Sequence, residues 1–545
     1  MSRLDIEPRT LPSLLDRAAA EHGDRTAIDF LGKRWTYSEV HHLVDRVAHG
    51  LQMNGVTPGA RVGLCLPNSP YFVIFYFAIL RIGGIVVNFN PLYVERELRH
   101  QIIDSGTQVM ITLDLQAIYS KVAAVADETG LRKIVVCPMM SILPPLKALG
   151  FCVFKRKEIA RFPADDRHVS FSSLIAHNVV SRHVPVSPDD LAVLQYTGGT
   201  TGVPKGAMLT HASLAANSAQ MVVHVGGRRH VQERTLGVLP LFHVFALTTV
   251  LNFSVDIAAE MILLPRFEMK AFLATIRRTR PTQFFGVPTL FGAMNALDPK
   301  NTPDLSSIEI CISGGAPLPL EMRAAFEARY GIRVVEGYGL SEASPIVACN
   351  PLRGLVKDNS AGKAFPGTVI EIRCLDDRDH IQSLGDRGEV CIRGPQLMRG
   401  YWQRDADTLE TFIDGALRTG DVGYLDDEGY LFLVDRIKDM ILCGGYNVYP
   451  RVIEDALYEH SAVAEAVVIG VTDPYRGQSP KAFVALHPDH ETSPAELKAF
   501  LAKRISKIEM PSAIVVRESL PKTLVGKLSK KALIEEEAAA ASSPD

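Results

Sequence analysis

An α/β fold in more than one domain is what this sequence predicts, and three observations carry the prediction. Apolar runs of strand length alternate with amphipathic stretches of helix length from residue 10 onward, the pattern of βαβ units around a largely parallel sheet. At 545 residues the chain exceeds what one hydrophobic core supports, so at least two domains are expected. After Lys438 the pattern changes to one compact α/β run of small-domain size, which divides the chain into residues 1–437 and 438–545.

Residues 10–22 predict a helix with Leu11, Leu14, Leu15 and Ala18 on one face, stopped by Gly23. A hairpin is expected over 27–37 around Gly32-Lys33, then a helix over 38–54 with Gly55 at its end. Strands and helices alternate next over 62–66, 71–82, 85–88, 95–105 and 109–113. The 71–80 run is the most hydrophobic segment; it stops at Arg81, is too short to span a bilayer, and reads as a buried helix. Residues 143–162, LPPLKALGFCVFKRKEIARF, stand out as an insertion. Phe151, Val153, Phe154, Ile159 and Phe162 mix there with Lys147, Lys155, Arg156, Lys157 and Arg161. Such a segment is either a solvated face over buried apolar residues or a surface for anionic lipid. The Ala-rich last dozen residues predict a frayed or disordered tail.

Composition is that of an ordinary soluble protein, with 47% hydrophobic residues and a net charge of −3. That balance argues against nucleic-acid binding, which needs a concentrated basic surface. The eight cysteines are scattered singly, without a CxxC pair, which suggests reduced thiols rather than disulfides or zinc. The N-terminus lacks the apolar core of a signal peptide.

Residues 194–211, LQYTGGTTGVPKGAMLTH, hold the strongest chemical signal. Thr197, Gly198, Gly199, Thr200, Thr201, Gly202 and Lys205 combine close backbone approach with hydroxyl and ammonium donors, which is what a polyphosphate needs. This is not a Walker loop, because Lys205 follows Pro204 rather than glycine. Residues 313–319, SGGAPLP, and 336–345, EGYGLSEASP, each follow a short apolar run, over 308–312 and 333–335, so their glycines are expected at strand ends, where open α/β sheets bind ligands. Neither is a dinucleotide fingerprint, since position 342 is Glu where the third glycine would stand. A carboxylate beside a polyphosphate is instead a hard oxygen ligand for Mg2+.

Together these blocks resemble the adenylate-forming superfamily, which includes acyl-CoA synthetases, luciferases and peptide-synthetase adenylation domains. The likeness runs from about residue 10 to 535 with the blocks in the family's order. It implies a large N-terminal domain of layered mixed sheets with flanking helices and a small mobile C-terminal domain. It also implies ATP, Mg2+ and coenzyme A. By resemblance Glu342 binds magnesium, Tyr338 packs on adenine, and Gly315, Ala316 and Pro317 form the adenine wall. Glu336, Gly337, Gly339 and Ser341, the last where the family usually has Thr, complete that block. His243, in LPLFHVFA, matches the acyl-carboxylate position, although a lone histidine among apolar residues is usually packed in a core. Residues 284–291, FFGVPTLF, read as acyl wall or plain core alike. The 388–402 block is mainly structural. Asp421 matches the ribose-binding carboxylate, Arg436 the nucleotide-binding arginine, Lys438 the hinge, and Gly444-Gly445 the border of the pantetheine path. Lys527 matches the catalytic lysine.

The implied activity is ATP-dependent conversion of a fatty acid to acyl-AMP and then to its CoA thioester. The YTGGTTG variant, residues 87–101, LPLFHVFAL and the LPPLK insertion resemble bacterial long-chain fatty-acyl-CoA ligases. A medium-chain or dicarboxylic acid is the alternative substrate. A peripheral membrane protein that binds lipid and nucleotide without catalysis is the alternative class. Location is expected to be cytoplasmic; contact with the inner face of a membrane and a homodimer are left open.

Overall fold

A computed structural model describes residues 7–177, 179, 181–182, 184–197, 204–227, 231–443, 446–488, 490–523 and 527–542. Three sheets organise them. The seven-stranded sheet runs in the order His168–Ser170, Lys133–Cys137, Val109–Leu113, Arg61–Cys65, Ile85–Asn88, Leu191–Thr197, Lys205–Thr210. It is parallel except for its last pair, an antiparallel hairpin. The alternation read from the sequence is thus a run of βαβ units.

The predicted helix over 71–82 is Pro70–Arg81, and every residue from Pro70 to Leu80 is buried. Ser69 caps it by accepting from the Phe72 amide, and Pro70 occupies a first-turn position where no N–H is needed. Arg81 ends the buried run because its charge finds Asp16 and Asp45 at the rim. Such an all-round apolar helix has no solvent side and belongs inside the domain.

The largest sheet joins a parallel half to an antiparallel half. Arg234–Gly237, Glu260–Leu263, Gln283–Gly286, Ile310–Ser313 and Val335–Gly339 make the parallel part. Val335–Gly339 then pairs antiparallel with Ile346–Cys349, so one strand turns the sheet from one regime to the other. The sequence placed Glu336 to Gly339 after a short strand over 333–335, with the glycines at its end; the strand is Val335–Gly339, so they lie within it. Gly339 permits this, because a Cβ there would come 2.1 Å from the Pro345 carbonyl oxygen. Asp421 sits inside the strand Ala416–Leu425, and Asp426, Asp427 and Glu428 occupy the turn that follows it.

The five-stranded sheet is built within residues 441–517, around the paired strands Val463–Asp473 and Gly477–Leu486. The tail is a second correction as far as Ser542: Lys530–Ser542 is helical rather than frayed, and residues 543–545 lie outside the described residues. Alanine and glutamate are strong helix formers, and buried Leu533 fastens the first turns.

Candidate active site

The hairpin Leu191–Thr197/Lys205–Thr210 sets Thr197 directly opposite Lys205. The Thr197 hydroxyl donates to the Lys205 carbonyl at 3.4 Å. Gly198, Gly199, Thr200, Thr201 and Gly202, singled out in the loop between them, lie outside the described residues. Alongside the second strand runs the 399–402 segment: Met208 N donates to Gly400 O at 2.9 Å and Trp402 N to Gly206 O at 2.8 Å. That docking swings Tyr401 into the site. The Lys205 ammonium lies 5.2 Å over its ring and 2.7 Å from the Asp407 carboxylate. The Tyr401 hydroxyl donates to Glu342 at 2.7 Å.

Lys205 and Glu342, far apart in sequence, therefore meet through a tyrosine. The sequence reading of 388–402 as mainly structural missed Tyr401, and it missed Asp407 altogether. An aromatic between a cation and a carboxylate has no local pattern. Glu342 has one oxygen engaged and lies beside a lysine hairpin, a hard-donor setting that fits Mg2+ shared with phosphate oxygens. Tyr401→Phe should raise the Mg2+ concentration that half-saturates ATP–pyrophosphate exchange about fivefold, the loss of one charge-assisted hydrogen bond. An unchanged magnesium titration would refute this coupling.

The ends of Ile310–Ser313 and Val335–Gly339 lie side by side, Ser313 opposite Glu336. Gly314 and Gly315, with Ala316 and Pro317, turn from the first of these toward the helix Leu320–Tyr330, while Gly337 and Tyr338 continue the second. The Tyr338 hydroxyl donates to Asp421 at 2.5 Å, and the other Asp421 oxygen is 3.1 Å from Arg436 Nε. Asp421 and Arg436 face one another across the ladder of Ala416–Leu425 and Tyr430–Arg436. Burial raises the Asp421 carboxyl, against the pull of Arg436. Burial also pushes Glu336 up to about 7, with Arg451 pulling it back. Its one hydrogen bond to the backbone comes from Leu318 N at 3.3 Å. Glu336 is thus electrostatically tied to Arg451 on the helix Pro450–Tyr458, a link its place in EGYG does not announce. Ser341 and Glu342 form the short turn Ser341–Ala343 just beyond.

Lys527 reaches the same point from the far end of the chain. A Cβ added to Gly315 would lie 3.0 Å from Lys527 Cε and 3.3 Å from Nζ, so the side chain passes directly over this glycine. Gly315 also has φ +82°, the left-handed region that favours glycine. Lys527 is held in place by Thr523: its amide donates to the Thr523 hydroxyl at 3.1 Å, and Thr523 N donates back at 2.6 Å. Burial brings the ammonium down to about 8, helped by the positive charge of Arg436. Gly315→Ala should slow acyl-AMP formation at least tenfold through backbone strain and a displaced Lys527, while leaving thioester formation from supplied acyl-AMP intact. Equal rates of adenylation in variant and parent would disprove the contact.

His243 caps the short helix Val244–Ala246, its Nδ1 accepting from Phe245 N at 3.3 Å. Burial and the Lys527 charge push its pKa down to about 3, so the ring is neutral near pH 7. With Nδ1 occupied as acceptor, the proton belongs on Nε2, which is then a donor. The Phe245 ring lies 2.9 Å from where a Gly314 Cβ would be, which draws this loop to the Gly315 turn. The 284–291 stretch is packed core: Phe284, Phe285 and Phe291 are buried. Val287 is the member that approaches the site, 3.7 Å from the Gly315 Cβ position.

Lys438 sits exposed in the turn Ile437–Asp439, its ammonium pushed down by partial desolvation and by Arg436. Gly444 and Gly445 lie outside the described residues. Lys530, unremarked in the sequence, pairs with Glu454 at 3.2 Å and approaches Asp439 at 3.9 Å, tying the Lys527 segment to that turn.

Known proteins resemble this chain in sequence and in fold. A family described as AMP-binding enzyme matches residues 15–402, and AMP-binding enzyme C-terminal domain matches 452–527. A long-chain-fatty-acid–CoA ligase of Bacillus subtilis (strain 168) is 41% identical over 541 residues, covering 98% of this chain and 96% of that protein. The anthranilate CoA ligase AuaEII, solved with anthranoyl-AMP, superposes with a TM-score of 0.87 at 26% identity, covering 100% of both chains. ATP-bound MatB from Rhodopseudomonas palustris gives a TM-score of 0.82 at 27% identity over 97% of this chain and 99% of that one.

Proposed function

Since this chain belongs to the AMP-binding enzyme family and is an AMP-forming acid–thiol ligase, we propose that its acid is a long-chain fatty acid, activated with ATP and passed to coenzyme A. The full-length identity to the Bacillus subtilis ligase supports the chain length. The convergence of Lys527, Gly315 and His243 supports the chemistry.

A carboxylate is a poor acyl electrophile, so the first step makes it a mixed anhydride. One carboxylate oxygen attacks the α-phosphorus of ATP, the bond to the bridging oxygen breaks, and pyrophosphate leaves. The His243 Nε2–H orients the carboxylate beside Val287. Asp421 and Arg436 hold the ribose, with Tyr338 against the adenine and the Gly315–Pro317 turn as its wall. Thr197, Lys205 and the glycine-threonine loop grip the β- and γ-phosphates, Lys205 exchanging Asp407 for phosphate oxygen. Glu342 would hold Mg2+, which when bound offsets charge on the phosphates. The Lys527 ammonium offsets the charge that builds on the α-phosphate, the kind of term that dominates such transfers.

In the second step the CoA thiol, losing its proton, attacks the acyl carbon and AMP departs. Residues 438–545 rotate about Lys438 between the steps, withdrawing Lys527 and bringing Gly444-Gly445 toward the thiol's path.

Pyrophosphate release measured from butanoic to octadecanoic acid and several diacids, with and without CoA, tests this reading. Highest kcat/KM is expected with the long monoacids. A short-chain or diacid optimum would overturn the substrate, and no release with any acid would overturn the reaction.

A further inference from the structure

The helix Pro145–Phe154 is apolar apart from Lys147, yet packs through only one side. Ala148 and Phe151 turn onto the core, and no residue of the helix is fully buried. Leu146, Leu149 and Val153, spaced three and four apart, and Phe154 beside the last of them face outward at 85%, 64%, 63% and 84% exposure. A helix on a protein surface ordinarily puts polar residues on that side.

Charge frames the face. Lys155, Arg156 and Lys157 follow its C-terminal end, all exposed, and Arg161 lies just beyond. The one acid between residues 143 and 162 is Glu158, which bonds Lys155 at 2.5 Å. Lys147 and the nearby Lys33 are fixed at this rim by the carbonyls of Leu31 (2.8 Å) and Ser141 (2.7 Å). Among the described residues Arg156, Lys157 and Arg161 form no ion pair. No helix among the described residues is long and apolar enough to cross a membrane.

We propose that this face docks on an anionic phospholipid surface, with Leu146, Leu149, Val153 and Phe154 in the acyl boundary and Lys155, Arg156, Lys157 and Arg161 on the lipid phosphates. An apolar helical face edged with cations is what such an interface takes up. A second copy of the chain fits worse, because a two-fold contact through this face would set one basic rim against another.

The full chain should co-sediment with phosphatidylcholine vesicles containing about a third phosphatidylglycerol and not with phosphatidylcholine alone. Two variants separate the parts: Lys155→Glu/Arg156→Glu/Lys157→Glu, and Leu146→Ser/Phe154→Ser. Each should lose about tenfold in bound fraction, with pyrophosphate release in vesicle-free buffer unchanged. Absence of binding to the anionic vesicles, or binding that neither variant reduces, would overturn the proposal. So would a dimer that becomes monomeric in the serine variant while vesicle binding stays the same. Vesicle binding is read without acid or ATP, so its failure leaves the proposed reaction standing.

Discussion

Lys527→Ala lowers acyl-AMP formation by about two to three orders of magnitude, while thioester formation from supplied acyl-AMP continues at nearly the parent rate. The lysine lies over Gly315 with its ammonium close enough to His243 to depress that ring, which on the proposed mechanism puts its charge at the α-phosphate. Its removal leaves the large-domain cleft intact, which is why the second half-reaction survives. A pH profile supplies an independent sign. Burial, reinforced by Arg436, sets the ammonium at about 8; the group is cationic below that value and neutral above it. Adenylation should therefore fall as pH rises through about 8, and thioester formation from acyl-AMP should show no such limb. Lys527→Arg, which stays charged, should retain some adenylation and lose the limb. Equal loss of both half-reactions in the alanine variant would remove Lys527 from the adenylation step.

Asp421→Ala should raise KM for ATP about a hundredfold, with a smaller change in kcat. The carboxylate takes the Tyr338 hydroxyl on one oxygen and Arg436 on the other, so its loss frees both groups that flank the nucleotide cleft. The effect reaches further. Arg436 already depresses Lys527 and Lys438, and without Asp421 its charge is no longer countered. The alkaline limb of adenylation should then move to lower pH, a shift that a simple loss of ribose contacts would not cause. Asp421→Asn, which keeps the shape and removes the charge, should reproduce the pH shift. A KM within about threefold of the parent would exclude a nucleotide role for Asp421.

The elements near the N-terminus were legible because each is local. Helix Leu11–His22 and helix Pro70–Arg81 announce themselves by periodicity, by a stop at Gly23 and by a stop at Arg81. Two misreadings have different causes. EGYG reads as lying beyond the end of a strand, yet pairing with Ile310–Ser313 on one side and Ile346–Cys349 on the other holds it as strand. The Ala-rich tail lacks a hydrophobic period, yet helix propensity and Leu533 make it a helix.

What the sequence supplied by itself is a set of reactive side chains and their order: phosphate donors at Thr197 and Lys205 and a hard oxygen at Glu342, with Asp421 and Lys527 picked out by their place in blocks that resemble the family's. Those are properties of side chains, and they survive without coordinates. Only the tertiary structure decided which of them touch. Tyr401 joins Lys205 to Glu342, the Leu318 amide bonds the buried Glu336, and Lys527 comes to rest on Gly315. The physical reason is that these contacts form where strand ends from remote parts of the chain converge. Periodicity and spacing encode neighbours along one element and carry no information about neighbours across a fold.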